Sequence, residues 1–358
     1  MKKIIFGITA VVLSAVLLFA GCAQKTKFSF HAYWTGQDSY PENFSERSVF
    51  SVKHITDYKR ETADNTSDDF SAQENSAFSV SFDEGEYVFE VTSVSSLPQE
   101  LGIEIGDYTD LYKIETSFRI GVTYTVTATE KSYTFEDTIQ SIAYCKSTWL
   151  APIYSYKTYA TTTLNGSASD VKIQRMAYST EINWYAEKGA LLKKIPAEKP
   201  VTEYDEDPAY RFTTVESEEI SVSYEEGTVL DNETLFFAVR GLKPTGDSFS
   251  QTLNILDTAY NSEQPVSVAS SRSYSFENDW LFTNGSGVTT EITEPMPVCL
   301  VTIRRGDATY SGSAKHCYYQ LESDKTVPYR ALFVRMVDKL PNNLGALDYT
   351  LKSLTTSE

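Results

Sequence analysis

Between Lys113 and Ala186 the chain passes through four long stretches in which apolar and polar residues alternate: Lys113 to Thr127, Ser132 to Tyr144, Tyr154 to Leu164 and Val171 to Ala186. Alternation with a period of two puts one set of side chains on each face of a strand, and a helix of 3.6 residues per turn cannot satisfy it. The joins between the stretches are turn-like. Thr129-Glu130-Lys131 is short enough for a hairpin, and Asn165-Gly166 between two alternating runs is a strong short-range hairpin signal. Runs of about ten residues or more lie at the long end of strand lengths, and they suit a large twisted sheet better than a compact sandwich.

The rest of the chain follows the same habit. Phe28 to Trp34, Ser48 to Tyr58 and Ala77 to Val91 read as strands, the last with a turn at Glu84-Gly85. Glu61 to Ser76 is polar apart from Phe70 and reads as a solvated loop. Ser93 to Asp110 connects into the main body, with a boundary near residue 110 that separates either an extension of one sheet or a unit of its own. Beyond Ala186, the acidic Tyr204-Asp205-Glu206-Asp207-Pro208 reads as a loop without the glycine and glutamate placements of a calcium site. Strands are expected over Phe212 to Tyr224, Ser248 to Leu256, Gln264 to Ser270 and Ser273 to Phe282, then Val288 to Thr293 after an Asn284-Gly285-Ser286-Gly287 turn. Val298 to Arg304 and Ser313 to Leu321 form a hairpin pattern around Gly306-Asp307, and Tyr329 to Lys339 meets Gly345 to Leu354 across Pro341-Asn342-Asn343. The 24 Tyr and 19 Phe, with many Val and Thr, favour strands as well.

One segment breaks this rhythm. Asp231-Asn232-Glu233-Thr234-Leu235-Phe236-Phe237-Ala238-Val239-Arg240-Gly241-Leu242 predicts a short helix over 232–242. Asp231 or Asn232 supplies the capping acceptor, and Glu233 suits the positive end of the helix dipole. Leu235, Val239 and Leu242 recur at helical spacing before Gly241 and Pro244 end the run. A short helix with one apolar face needs a surface to lie on. The expected fold is therefore mainly β: a curved, half-open antiparallel sheet, a β-cup, with this helix across its concave face and a β-rich extension at the N-terminus.

The N-terminal 21 residues read as a leader. Met1-Lys2-Lys3 precedes an apolar run from Ile4 to Ala20, and the run is at or below the ~17–25 residues a membrane-spanning helix needs. Leu18-Phe19-Ala20-Gly21-Cys22 resembles the lipobox of bacterial lipoproteins, with Phe19 where that family usually carries Leu. The resemblance implies that Cys22 becomes a lipidated N-terminus and that the protein is exported. Its membrane contact would be the lipid on Cys22, at the outer face of the cytoplasmic membrane or at an envelope membrane in a two-membrane cell. The domain reading is then a signal peptide over 1–21, a tether over 22–27, the β-rich extension over 28–110 and the cup over 111–358.

Cys145, Cys299 and Cys317 remain, an odd number for an exported protein. A Cys299–Cys317 disulfide with one free thiol is one reading, and three small core residues is the other. A zinc site on Cys299, His316 and Cys317 lacks a fourth ligand and the usual spacings, so no metal and no cofactor is expected. The formal net charge of -18 becomes more negative once Lys2 and Lys3 leave with the leader, which argues against nucleic acid and anionic headgroups as partners.

The body carries a second resemblance. Trp149-Leu150-Ala151-Pro152-Ile153-Tyr154-Ser155, the Asp231-to-Leu242 segment, and Val327-Pro328-Tyr329-Arg330 with Gly345-Ala346-Leu347-Asp348-Tyr349-Thr350-Leu351 are similar to segments of a family of uncharacterised bacterial envelope proteins. The similarity spans about Lys113 to Ser353. It implies a fold related to the periplasmic carriers of outer-membrane lipoproteins, a half-open antiparallel cup with helices across its mouth.

No catalytic residues emerge. His31, His54 and His316 are scattered, and there is no nucleophile elbow or phosphate-cradling glycine loop. Ser169-Asp170-Val171-Lys172 matches a bare Ser-x-x-Lys but opens a strand where that chemistry requires a helix. Two functions remain open. One is a binding module whose cup holds a lipid or acyl chain against Leu235, Phe236, Val239 and Leu242. The other is a surface lipoprotein that meets a protein or polysaccharide while those side chains fill the cup.

Overall fold

The computed structural model describes residues 43–58, 70–72, 77–103, 110–167, 170–186, 189–244, 249–305, 314–322, 324 and 331–357. The leader, Cys22, the Phe28-to-Trp34 strand, the Gly306-Asp307 turn and Val327-Pro328-Tyr329-Arg330 lie outside them. The described chain is mainly β. Its strands are β1 (Ser45–Ile55), β2 (Asp57–Tyr58), β3 (Phe70–Ser71), β4 (Phe78–Phe82), β5 (Gly85–Val94), β6 (Leu111–Val126), β7 (Lys131–Lys146), β8 (Pro152–Ser167), β9 (Asp170–Ala186), β10 (Gly189–Pro196), β11 (Tyr210–Thr213), β12 (Glu218–Val222) and β13 (Leu230–Asp231). After the helix α1 (Leu235–Gly241) come β14 (Phe249–Asp257), β15 (Ser262–Phe276), β16 (Trp280–Thr283), β17 (Thr289–Ile292), β18 (Met296–Arg305), β19 (Lys315–Gln320), β20 (Phe333–Lys339) and β21 (Ala346–Thr356).

Apart from the small β2–β3 pair, all strands join one open sheet. Its main antiparallel path runs β12, β10, β9, β8, β7, β6, β5, β1, β21, β20, β19, β18, β15, β14. The first strand therefore sits between β5 and the last, where Ser51 faces Glu86 on one side and Thr350 on the other. The described part of the 28–110 extension is thus woven into the middle of the sheet, and β5 passes its ladder directly to β6 across residue 110.

The β6–β7 hairpin forms where the sequence places it, paired from Leu111↔Lys146 to Val126↔Lys131, with Glu130 at φ 53° closing the turn. The β8–β9 hairpin also forms, but Asn165-Gly166 is not its turn. Asn165 pairs with Lys172, Gly166 with Val171 and Ser167 with Asp170, so the chain reverses between Ser167 and Asp170. Long-range pairing decided this register. It stacks Tyr159 on Tyr178 at 4.6 Å and sets Thr162 opposite Arg175, whose guanidinium donates to Asp137 Oδ1 at 2.5 Å. Such contacts together outweigh the preference of a single dipeptide.

The sheet curls around α1. Phe237, Ala238, Val239 and Arg240 are essentially inaccessible, and Leu235 is 7% exposed. A helix enclosed on every side needs apolar residues all round rather than a stripe, as Leu235-Phe236-Phe237-Ala238-Val239 supplies. Phe237 meets Tyr112 edge-on at 5.1 Å, and Phe236 stacks on Phe333 at 5.3 Å. The predicted 232–242 helix begins as a single 3-10 turn, Asn232–Thr234, before α1 proper.

One charge is carried into this core. Arg240 and Glu46 of β1 are 1% and 2% exposed, and the guanidinium donates from Nη1 to Oε1 at 2.6 Å and from Nη2 to Oε2 at 3.1 Å. The pair ties the helix to a strand nearly two hundred residues earlier in the chain. A two-pronged geometry of this kind offsets part of the cost of burying both ions.

Candidate functional site: a cavity beside the helix

The sheet does not close by a continuous ladder. β13 runs parallel to the edge strand β14, Leu230 against Ile255 and Asp231 against Leu256, and side chains bridge from there to β8. Ser155 Oγ of β8 donates to Asp231 Oδ2 at 2.6 Å, and Lys157 Nζ donates to Glu233 Oε1 at 2.7 Å. Asp231 is at the same time the cap of the helical segment, since its Oδ1 accepts from the Glu233 backbone N–H at 2.8 Å. One aspartate therefore starts the helix and latches the open edge.

Burial, with a smaller contribution from the Glu233 charge, pushes the Asp231 carboxyl up to about 6. Burial also acts to raise Glu233, but the Lys157 ammonium and hydrogen bonds from Lys157, Asn232 and Ser141 outweigh it and hold that carboxyl below its ordinary value. Burial would lower Lys157; the charges of Glu233 and then Tyr159 overcome this and raise it instead. The Lys157–Glu233 pair is accordingly ionised at neutral pH.

Next to this latch lies a cavity of about 490 Å³, within the usual range for small-ligand sites. Its inner wall is apolar and aromatic: Tyr87 of β5, Phe118 of β6, Leu235 and Phe236 of the helix, Met336 of β20 and Tyr349 of β21. Tyr87, Leu235, Met336 and Tyr349 are each no more than 7% exposed. Burial, aided by neighbouring negative charges, raises the Tyr87 and Tyr349 hydroxyls well above their ordinary value, so both stay neutral.

The outer wall is charged. Arg305, Lys315, Asp338 and Lys339 gather because β18 ends, β19 begins and β20 ends on the same side of the sheet, with Ile303 opposite Lys315 and Lys315 opposite Asp338. Lys315 pairs with Asp338, and Arg305 lies 2.9 Å from Asp257 and 3.5 Å from the side-chain oxygen of Asn232. Asn232 in turn donates to Glu233 at 2.9 Å, so a polar chain runs around the mouth from Arg305 to Lys157.

Of the four side chains singled out in the sequence, Leu235 and Phe236 line the cavity. Val239 is fully enclosed and Leu242 packs against the same core, both away from the cavity wall. Helical spacing selects residues on one face, but here every face is covered and the cavity opens at the helix start. Sequence reasoning missed Lys157, Arg305, Lys315, Asp338 and Lys339. One signal was available: Lys157 sits between Ser155 and Tyr159 on the strand face turned toward the helix, a position where an apolar residue is the default.

The cysteine pairing is corrected. Cys145, Cys299 and Cys317 are all buried free thiols. Cys299 faces Tyr319 and Cys317 faces Val301, so the two are diagonal neighbours on adjacent strands. That places them about 7–8 Å apart, beyond the reach of a disulfide. Burial raises all three thiols, Cys299 to about 11, which leaves them unreactive. His316 precedes Cys317 in β19 and so turns to the opposite face, where its ring lies 5.3 Å from that of Tyr58. His316 and the cysteine that follows it therefore lie on opposite faces of β19.

The fold is thus a large open β-sheet curled around one short helix. No protein-family model and no curated protein matches the chain. Among solved structures it is similar to a β-barrel-like protein of domain of unknown function DUF1849 from Brucella abortus, with 10% identity, 88% of this chain and 98% of that chain covered, and a TM-score of 0.45. It is also similar to a "putative lipoprotein" from Parabacteroides distasonis, with 9% identity, 92% and 100% covered, and a TM-score of 0.19.

Proposed function

We propose that the protein is a non-catalytic binding module that holds an apolar ligand, a lipid or acyl chain, in the cavity beside α1. The observation that carries this reading is the apolar inner wall of a cavity of about 490 Å³ in a core that is otherwise closely packed around the helix. An apolar chain laid along this wall would take its aromatic and aliphatic surface out of water. Cys22, lipidated as its leader sequence implies, would hold the module at the outer face of the cytoplasmic membrane or at an envelope membrane. No helix among the described residues is long and apolar enough to span a bilayer.

Native mass spectrometry and solvent extraction of the leaderless protein test the binding reading. A co-purifying lipid or acyl chain is expected, and a protein that stays ligand-free even after incubation with excess lipid would overturn it. Palmitate labelling of wild type against Cys22→Ser tests the anchor. Label retained in the variant would remove Cys22 from that role.

A second reading has its own support. Phe237, Ala238 and Val239 are wholly enclosed, so the helix plugs much of the cup. In that case the protein is a structural or interaction lipoprotein that meets a protein or polysaccharide through its outer surface.

A further inference from the structure

We infer that the ligand of this cavity is an anionic amphiphile, an apolar chain ending in an oxyanion such as a carboxylate or phosphate. The inference rests on the apolar-ligand reading above and adds the chemistry of the ligand's polar end.

The charge distribution carries it. Across the chain, 49 acidic residues face 31 Lys and Arg, so a random patch of surface is acidic. The cavity wall reverses that ratio, with Lys157, Arg305, Lys315 and Lys339 against Glu233 and Asp338. Cations still outnumber acids when Asp257, the partner of Arg305, is added. Three of the four cations sit at neighbouring strand ends, so the sheet register itself brings them to one side of the mouth.

The placement is amphipathic as well as cationic. The Arg305 side chain is 47% exposed and Lys315 33% exposed, while behind them Leu235 and Met336 are buried and Phe118 and Phe236 partly buried. A chain inserted tail-first would lie along Phe118, Leu235, Phe236 and Met336 and leave its head beside Arg305, Lys315 and Lys339. Long basic side chains at a half-exposed rim pack their stems on apolar surface and present their charged ends to such a head. A neutral head would gain only ordinary hydrogen bonds from them, and a cationic head would be repelled. The rim also provides an entrance that attracts anions in a protein whose overall field repels them.

Titration calorimetry of the leaderless protein with twelve-carbon probes below their micelle concentrations tests this directly. Laurate and dodecyl phosphate are expected to bind about tenfold or more tightly than dodecanol at low salt, the scale of one charge-assisted contact. Added salt and Lys339→Gln should each narrow that gap. A preference shared by both anions supports the oxyanion, and a preference for one of them identifies the head group.

Dodecanol or dodecyltrimethylammonium binding as tightly as the anions would overturn the inference while leaving the cavity as an apolar site. Binding of none of the probes would remove the apolar-ligand reading itself. The comparison among probes on wild type needs no variant, so it stands even where a substitution at Arg305 unsettles buried Asp257.

Discussion

Replacing Glu46 by Ala should destabilise the protein more than almost any other single truncation, although Glu46 lies in the first described strand and far from the cavity wall. The substitution leaves the Arg240 guanidinium, 1% exposed, facing its former partner's empty position. Two donated bonds of 2.6 and 3.1 Å are lost. Breaking one side of a buried pair costs about 3–5 kcal/mol, chiefly because the remaining charge stays desolvated. Against a typical domain stability of about 5–15 kcal/mol, that is a large fraction. Equilibrium urea unfolding measures it as a fall in midpoint at unchanged slope.

The reciprocal truncation, Arg240→Met, strands the carboxylate and should cost a similar amount. Glu46→Leu combined with Arg240→Met removes both charges and should recover most of the loss, as expected when desolvation dominates. A loss below about 1 kcal/mol for Glu46→Ala, or a double variant as unstable as the sum of the singles, would refute the argument that this pair pins the helix to β1.

Three further outcomes follow from the same geometry. Asp231 has a folded-state pKa of about 6, above its value in an unfolded chain, so its stabilising contribution is fully present below about pH 4 and is lost as pH rises through 6. Asp231→Asn keeps a capping acceptor and removes that titration. Its unfolding midpoint relative to wild type should therefore rise between pH 4 and pH 7, by on the order of 2–3 kcal/mol in stability, and a difference flat with pH would count against the assignment. Phe236→Ala removes the ring stacked on Phe333 and widens the cavity; a loss of about 2 kcal/mol is expected, less than for a fully enclosed Phe, read by thermal unfolding. Ellman's reagent should label none of Cys145, Cys299 and Cys317 in the native leaderless protein and all three after denaturation, and dithiothreitol should leave the melting temperature unchanged.

Local patterning made much of this architecture legible. Period-two alternation over Lys113 to Ala186 identifies β6 to β9 because a sheet with two different faces imposes it residue by residue. The helix is equally local: Asp231 caps it and its apolar residues fill it, though the chain leaves it at Lys243, whose φ of 52° is left-handed, rather than at Gly241. Composition likewise gives the excess of negative charge, since charge adds up without reference to fold.

Register and closure are different in kind. Asn165-Gly166 gives the right hairpin but the wrong turn, because the ladder through Tyr159, Thr162 and their partners is an energy summed over many residues. The Cys299–Cys317 spacing allows a bridge in one dimension, and the diagonal offset of β18 and β19 forbids it in three. The site depends on such long-range facts throughout. Lys157, Glu233, Arg305, Lys315 and Lys339 are scattered over the sequence; Glu233 reads there as a helix-start charge, and Arg305, Lys315 and Lys339 read as ordinary surface charges. The sequence by itself determined the strands, the helix and the excess of negative charge, because each is encoded by neighbours along the chain. Only the tertiary structure decided that β1 lies beside β21, that Arg240 meets Glu46 and that four cations line one cavity, because those energies exist only between residues the fold has brought together.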